Sequence, residues 1–374
     1  VFGEPNHAGW RRGAGRQLRR KRACVLISLG LIAGASLGAP PLAGVKFKDP
    51  LDAPAQATRF VTTTHLGAIA RAGSRLVAVG MRGLIVLSDD NGETWHQVES
   101  PVGSDLVAVR FVTARQGWAS GHGGVVLATS DGGEHWMKQL DGRMAAGLLK
   151  AHFGELAATG NANAVRLLKE TKLNYQSGPA VPMLGILFEN ERDGWAVGSF
   201  GTILGTSDGG KSWVSWIEKV DNDKMLHYNA ISEVGNEVYL ASEQGTLFRL
   251  DRSRQRFTAI STGYDGSFLG VVGSRGYVIA YGIGGSAYRS RDDGASWQRL
   301  STGVHGSLTA ACVLDDGRLL FVSQDGHLIV SRDEGETFQV LPSARLGLIT
   351  DVAAAGHNHV ALTGLGGTQT VNLQ

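Results

Sequence analysis

Thr206-Ser-Asp208-Gly-Gly210-Lys-Ser212-Trp213 decides the fold, because the chain writes it five times. The other copies are Ser88-Asp-Asp90-Asn-Gly92-Glu-Thr94-Trp95, Thr129-Ser-Asp131-Gly-Gly133-Glu-His135-Trp136, Ser290-Arg-Asp292-Asp-Gly294-Ala-Ser296-Trp297 and Ser331-Arg-Asp333-Glu-Gly335-Glu-Thr337-Phe338. Self-similarity at a period of about forty residues marks an array of small sheets. Between copies the chain reads as short strands separated by turn signals. Leu106–Val112, Gly117–Gly121, Val125–Thr129 and His135–Leu140 make one four-stranded unit, the blade of a β-propeller. The same order lies over 66–101, 184–220, 226–262, 267–303 and 307–343. The unit at 226–262 carries a decayed motif, Asp251-Arg-Ser-Arg-Gln-Arg-Phe257. The last unit, 347–373, supplies three strands, and the sequence predicts Ala57–Thr63 as the fourth, closing the ring. The expectation is an all-β, seven-bladed β-propeller of four-stranded blades over 44–374.

Of 374 residues, 53 are Gly and 9 Pro. Gly at about twice its usual share fits many turns that need positive φ. Seven Arg and Lys between Arg11 and Arg22 precede an apolar run from Ala23 to Leu37, then Gly38-Ala39-Pro40-Pro41-Leu42-Ala43. That order predicts an export signal and linker over 1–43, cleaved after Ala39 or Ala43 or kept as an anchor, and hence a periplasmic protein. With residues 1–39 set aside, the 36 basic and 34 acidic residues become 29 and 33. A mildly acidic chain lacks the footprint of a nucleic-acid binder. Cys24 falls in the signal and Cys312 in an apolar run, so the sequence predicts neither a disulfide framework nor a metal-type cysteine cluster.

Repetition assigns Asp90, Asp131, Asp208, Asp292 and Asp333 to turns, one per blade. Trp95, Trp136, Trp213, Trp297 and Phe338 are expected to be packing wedges, as are Trp118 and Trp195. Function must come from what breaks the repeat. One departure is an insertion over 143–181 between blades 2 and 3, with helical spacing in Met144–Phe153 and Ala162–Glu170. The other is the turn between the second and third strand of each blade, where Gly recurs and its neighbours vary. Those turns and the inter-blade loops should form one face. It presents Arg82, His122, Phe200, Glu243, Gln244, Asp325, Tyr228, Tyr264 and His305, a set suited to protein or peptide contact. No catalytic set is recognisable among them, and no cofactor is expected. His357-Asn-His359 lacks a third ligand nearby in sequence and reads as metal-free. Asp221-Asn-Asp223 lacks the Gly and distal Glu of a calcium loop.

The repeats resemble the Asp-box, or BNR, repeat. Asp193-Gly-Trp-Ala-Val-Gly-Ser-Phe-Gly-Thr-Ile-Leu-Gly-Thr-Ser-Asp-Gly-Gly-Lys-Ser-Trp213 is similar to the photosystem II stability/assembly factor-like family of seven-bladed propellers, including its relatives in non-photosynthetic bacteria. The resemblance implies an exported, non-enzymatic factor that binds membrane-protein partners during assembly. The inserted helices and Asp221–Ile231 look like the branch that accompanies resistance-nodulation-division exporters. Two other classes remain open, a glycan- or peptide-binding module and a sialidase-like glycoside hydrolase. Against the hydrolase, the Arg-Ile-Pro segment of sialidases is absent.

Overall fold

The computed structural model describes residues 48–341, 347–356 and 358–373. The expected signal at 11–43, Cys24 and His357 lie outside the described residues. Seven antiparallel sheets follow in chain order, at 66–98, 106–140, 183–215, 228–261, 268–299, 308–340 and 349–372. Six have four strands in sequential order, and the seventh has three. This is the seven-bladed propeller that the repeat predicted.

Strand direction alternates within each blade, which fixes what each end carries. First-to-second and third-to-fourth turns, including the Asp-boxes, lie at one end. Second-to-third turns and the links between blades lie at the other. Every first strand also breaks register at its second residue, the position of Gly67, Val107, Leu184, Asn229, Leu269, Thr309 and Thr350. At three of these bulges the side chain reaches the next blade. Asn229 Nδ2 donates to Phe268 O at 2.8 Å, Thr309 Oγ1 to Ile349 O at 2.8 Å, and Thr350 Oγ1 to Leu66 O at 2.7 Å. A bulge re-aims a side chain in this way.

Ring closure differs from the sequence expectation. Residues 57–63 form no strand, and the seventh blade keeps three. Instead 48–64 runs as a strap. Leu51 is buried, and the Asp52 carboxylate binds Lys138 and Arg143 of the blade 2 side. Ala55 N donates to Ser100 O at 3.0 Å, and Thr58 N to Gln97 Oε1 at 2.9 Å, which holds the strap on blade 1. A turn follows, with Thr64 N on Phe60 O at 3.0 Å. Only Thr62 O then meets the last strand, accepting Thr368 N at 3.1 Å. These bonds to blade 1 and the turn at Phe60 keep Ala57–Thr63 from lying along blade 7. Closure itself comes from Thr350 and from Asp351 Oδ2, which accepts Ile69 N at 3.0 Å.

The insertion folds into two helices, α1 (Gly142–Ala158) and α2 (Ala162–Asn174), between blades 2 and 3. Asp141 caps α1, accepting the N–H groups of Arg143 at 2.9 Å and Met144 at 3.1 Å. Asn161 caps α2 through Ala164 N at 3.0 Å. The spacings Ala145, Leu149, Phe153 and Ala164, Leu167, Thr171 are buried, one stripe per helix. Among the described residues, no helix is long and apolar enough to cross a membrane.

Candidate functional site

At the Asp-box end the carboxylates are bound within their own turns. In blade 1 the Ser88 hydroxyl donates to Asp90 at 2.8 Å and accepts Gly92 N at 2.8 Å, while Thr94 gives Asp90 both its N–H, at 2.9 Å, and its hydroxyl, at 2.5 Å. Asp208 and Asp292 repeat the pattern with Ser212 and Ser296, Asp333 with Thr337, and Asp131 with the N–H and ring of His135. The hydroxyl four residues on, then that residue's N–H, hold the carboxyls of Asp90, Asp208 and Asp292 down at about 2. Asp131 reaches about 2 against the opposing effect of burial, through His135 and Thr129. Gly92 and its counterparts sit at φ between 82° and 93°, where an L side chain would be strained.

The boxes also clasp their neighbours. A main-chain carbonyl of each box accepts from the blade before it. Arg75 donates to Gly132 O at 3.2 Å, Trp118 to Gly209 O at 3.2 Å, Arg249 to Asp293 O at 2.6 Å, Arg289 to Glu334 O at 3.1 Å, and Thr370 to Gly92 O at 3.2 Å. Where the box is decayed or missing, another pair spans the seam: Arg252 with Glu189, and Arg318 with Asn358 at 2.7 Å. Each box aromatic is buried or half-buried, as expected of wedges. Trp95, Trp136 and Trp297 donate to the box Gly carbonyl, whereas buried Trp213 Nε1 has no partner among the described residues. Trp118 lies fully buried and stacks on Phe188, with ring centroids 3.5 Å apart.

The opposite end is pinned mainly through main chain. The first N–H of the turn donates to the carbonyl just before its own blade at Met81, His122, Ser199, Ile283, Gln324 and Leu365. In blade 4 the Ser242 hydroxyl takes that role toward His227 O at 2.6 Å. Side chains are thereby left to project. Met81, Phe200, Ile283 and Leu365, at four of the seven turns, are 40%, 43%, 41% and 56% exposed.

The residues predicted for this face fall into local groups. Phe200 packs edge-on against His227, with centroids 4.8 Å apart. Glu243 Oε2 accepts His227 N at 3.0 Å, and Gln244 Oε1 accepts Lys224 Nζ at 3.0 Å. These four blade 3–4 residues make one continuous patch with Phe200, and Lys224 and His227 were not in the predicted set. Arg82 N and His122 both approach Asp105, at 2.7 Å from Oδ1 and 3.9 Å from Oδ2. Tyr264 is half-buried and donates to Ile283 O at 3.1 Å. His305 is exposed beside the blade 5 turn. Asp325 sits in blade 6, bound by Ser323 and His327, and the Ser323 hydroxyl holds its carboxyl below the ordinary range. Tyr228 corrects the prediction. It is 0% exposed, its hydroxyl accepts Asn222 Nδ2 at 2.9 Å, and burial pushes its phenol up. It opens the inner strand of its blade, so it supports the face and does not present a ring there.

Carboxylates on this face are engaged separately. Glu243 belongs to the blade 4 turn and Asp325 to the blade 6 turn, each bound to its own neighbours. Asp221 is paired with Arg256. Among the described residues no group of three or more His, Cys, Asp or Glu is placed to hold a metal ion. Burial pushes the Cys312 thiol up to about 12, away from the reactive thiolate.

One feature escaped the sequence reading. Between the strap and the blade 1 turn lies a cleft of about 640 Å³, walled by Pro50, Pro54, Phe60, Met81 and Leu84, with Lys48 and Arg82 as its charged residues. Its volume falls within the roughly 300–1,000 Å³ of ligand clefts. Of its lining only Arg82 was singled out in the sequence, because the strap's position is a tertiary outcome.

Fold and motif chemistry define the class, a seven-bladed propeller of Asp-box repeats. A family model for the BNR/Asp-box repeat matches residues 86–97, and one described as photosynthesis system II assembly factor YCF48 matches residues 161–342. The photosystem II assembly protein Ycf48 of Synechococcus sp. (strain JA-3-3Ab) is 27% identical over 192 residues, 45% of this chain and 53% of that protein. The photosystem II assembly lipoprotein Ycf48 of Synechococcus sp. (strain CC9902) is 25% identical over 173 residues, 45% of this chain and 50% of that one. The chain therefore spans about half the length of the curated relatives it matches. The solved structure of YCF48 bound to a D1 peptide superposes with a TM-score of 0.61 at 15% identity, covering 86% of this chain and 99% of that one. YCF48 from Cyanidioschyzon merolae gives 0.58 at 15% identity, over 85% and 98%. The particular resemblance is to the photosystem II assembly factor-like family of BNR propellers, supported by repeats, relatives and fold together.

Proposed function

We propose that this chain is a non-enzymatic assembly or accessory factor that binds a subunit of a membrane-protein complex through its second-to-third-strand turns. The observation that carries this reading is the exposure of Met81, Phe200, Ile283 and Leu365 at turn tips. No box residue is among the exposed large apolar side chains. The four share the turn end with polar neighbours, as an interaction surface does, although Met137 and Val214, just past two boxes, are also exposed. The D1 peptide held by the solved YCF48 supports a peptide segment of such a subunit as the occupant. Export of the chain rests on the 11–43 segment and on the lipoprotein relative. The narrower reading, an accessory to a resistance-nodulation-division-type exporter, rests on the inserted helices and Asp221–Ile231.

A photocrosslinking residue at Phe200 or Tyr264 is expected to capture an inner-membrane protein in the native envelope. Capture solely through the box end, at Lys211 for example, would overturn the reading. A hydrolase would need two carboxylates facing one cleft, about 5–10 Å apart. Turnover of aryl glycosides by the purified protein, abolished by Glu243→Gln or Asp325→Asn, would replace the binding reading with that one.

A further inference from the structure

The cleft under the strap has an unbalanced lining. Lys48 and Arg82 are its only charged residues, and neither has a carboxylate within ion-pair distance among the described residues. Acidic groups border both cations but bond main chain or other side chains. Asp105 Oδ1 accepts Arg82 N at 2.7 Å, Asp49 Oδ1 accepts Leu51 N at 2.9 Å, and Asp52 binds Lys138 and Arg143. The walls are mixed, with Gln56, Thr58 and Thr64 among the apolar side chains, and two of the apolar groups face water: Phe60 is 54% exposed and Met81 40%. Arg59 lies over the Phe60 ring at 4.8 Å, adding a third cation at the rim. Both walls are braced, the strap by Ser100 and Gln97 and the turn by His65 and Asp105. A braced site loses little freedom when it is filled.

We propose that this cleft seats an extended peptide segment of the partner that alternates acidic and apolar residues. Lys48 and Arg82 pair with its carboxylates, and Phe60 and Met81 cover its apolar side chains. The inference rests on the assembly-factor reading and adds to it a location and a chemistry. A concave site fits a peptide better than a bilayer, which would meet flat tips. Guanidinium binding to a carboxylate is directional and stronger than a neutral hydrogen bond, so Arg82 is expected to dominate Lys48.

The test uses the full chain and a fluorescent eight-residue peptide of alternating Leu and Glu, with the matching Leu/Gln peptide as control. The acidic peptide should bind and the neutral one should not. Arg82→Gln with Lys48→Gln should weaken binding about tenfold, as should Phe60→Ala with Met81→Ala, whereas Lys211→Gln at the box end should leave it unchanged. Equal binding of both peptides, or insensitivity to Arg82→Gln and Lys48→Gln, would overturn the proposal. So would binding of vesicles rich in anionic phosphatidylglycerol, lost in the same variants, without peptide binding. Crosslinking separates this proposal from the broader one. Capture of the membrane partner from Phe200 but not from Phe60 sinks the cleft and leaves the assembly-factor reading standing. Capture from neither position sinks both.

Discussion

The two ends of this propeller are built from turns of different length, seven residues in each box against two to four at the other end, and they spend their hydrogen bonds differently. At the box end, side chains close the turn on itself, and box carbonyls accept from the preceding blade, as Gly132 does from Arg75 and Glu334 from Arg289. At the other end, main-chain bonds do most of the fixing, and Met81, Phe200 and Leu365 are left projecting. A repeat whose carboxylates and hydroxyls are engaged within their own turns has little left with which to recognise a partner. On the proposed reading, recognition belongs to the end where the fold is held mainly without using its side chains.

The largest effect expected from that contrast is at Trp118, which ties blade 2 to the blade 3 box through Gly209 O. Trp118→Ala removes a fully buried ring stacked on Phe188, and should cost about 3–5 kcal/mol in denaturant unfolding. A loss below about 1 kcal/mol would show that the clasp contributes little to the ring. Next comes the strap. Starting the chain after Thr64 gives up Leu51 burial and the bonds to Gln97, Ser100 and Thr368, about 2–4 kcal/mol together. An unchanged thermal transition would mean that Thr350 and Asp351 close the ring unaided.

These two regions also show where the sequence could be read and where it could not. Box, blade number and inserted helices are local patterns, repeated or strongly periodic, so Asp208, Trp213 and Ala162–Glu170 could be placed without coordinates. The sequence assigns Ala57–Thr63 to the strand missing from blade 7, but its fate depends on Gln97 and Ser100, some forty residues away in sequence. Tyr228 fails for a related reason. Alternation says which residues share a side of a strand, not whether that side meets solvent or the next blade. Asn222 and Phe248, which bury Tyr228, are a tertiary outcome. The cleft combines both difficulties, since one wall is the strap.

A smaller effect is the acid response of the box end. The carboxyls of Asp90, Asp208 and Asp292 titrate near 2 when folded, below their ordinary 3.8. The unfolded chain binds protons first as pH falls. Stability from the boxes is therefore complete above about pH 4 and is lost as pH drops from there toward 2. Thermal unfolding followed from pH 5 to pH 2 should show that fall. In Asp90→Asn with Asp292→Asn the curve should be flatter, from a lower starting point. A wild-type midpoint that stays level over this range would mean that the box carboxylates add nothing to the folded state.

The smallest expected change in stability sharpens the contrast most. Phe200 holds φ at 55°, in the region that glycine favours, and it is 43% exposed, its ring resting against His227. Phe200→Gly relieves the backbone and removes an exposed ring, while adding glycine's entropy cost to folding. The two effects oppose each other, and stability should move by less than about 0.5 kcal/mol. Recovery of the membrane partner from detergent extracts should nonetheless fall about tenfold, the scale on which an exposed aromatic anchor acts in an interface. A variant that unfolds earlier yet still recovers its partner would reverse the assignment. The turn end would then be doing the folding, and the boxes would have to be searched for the recognition.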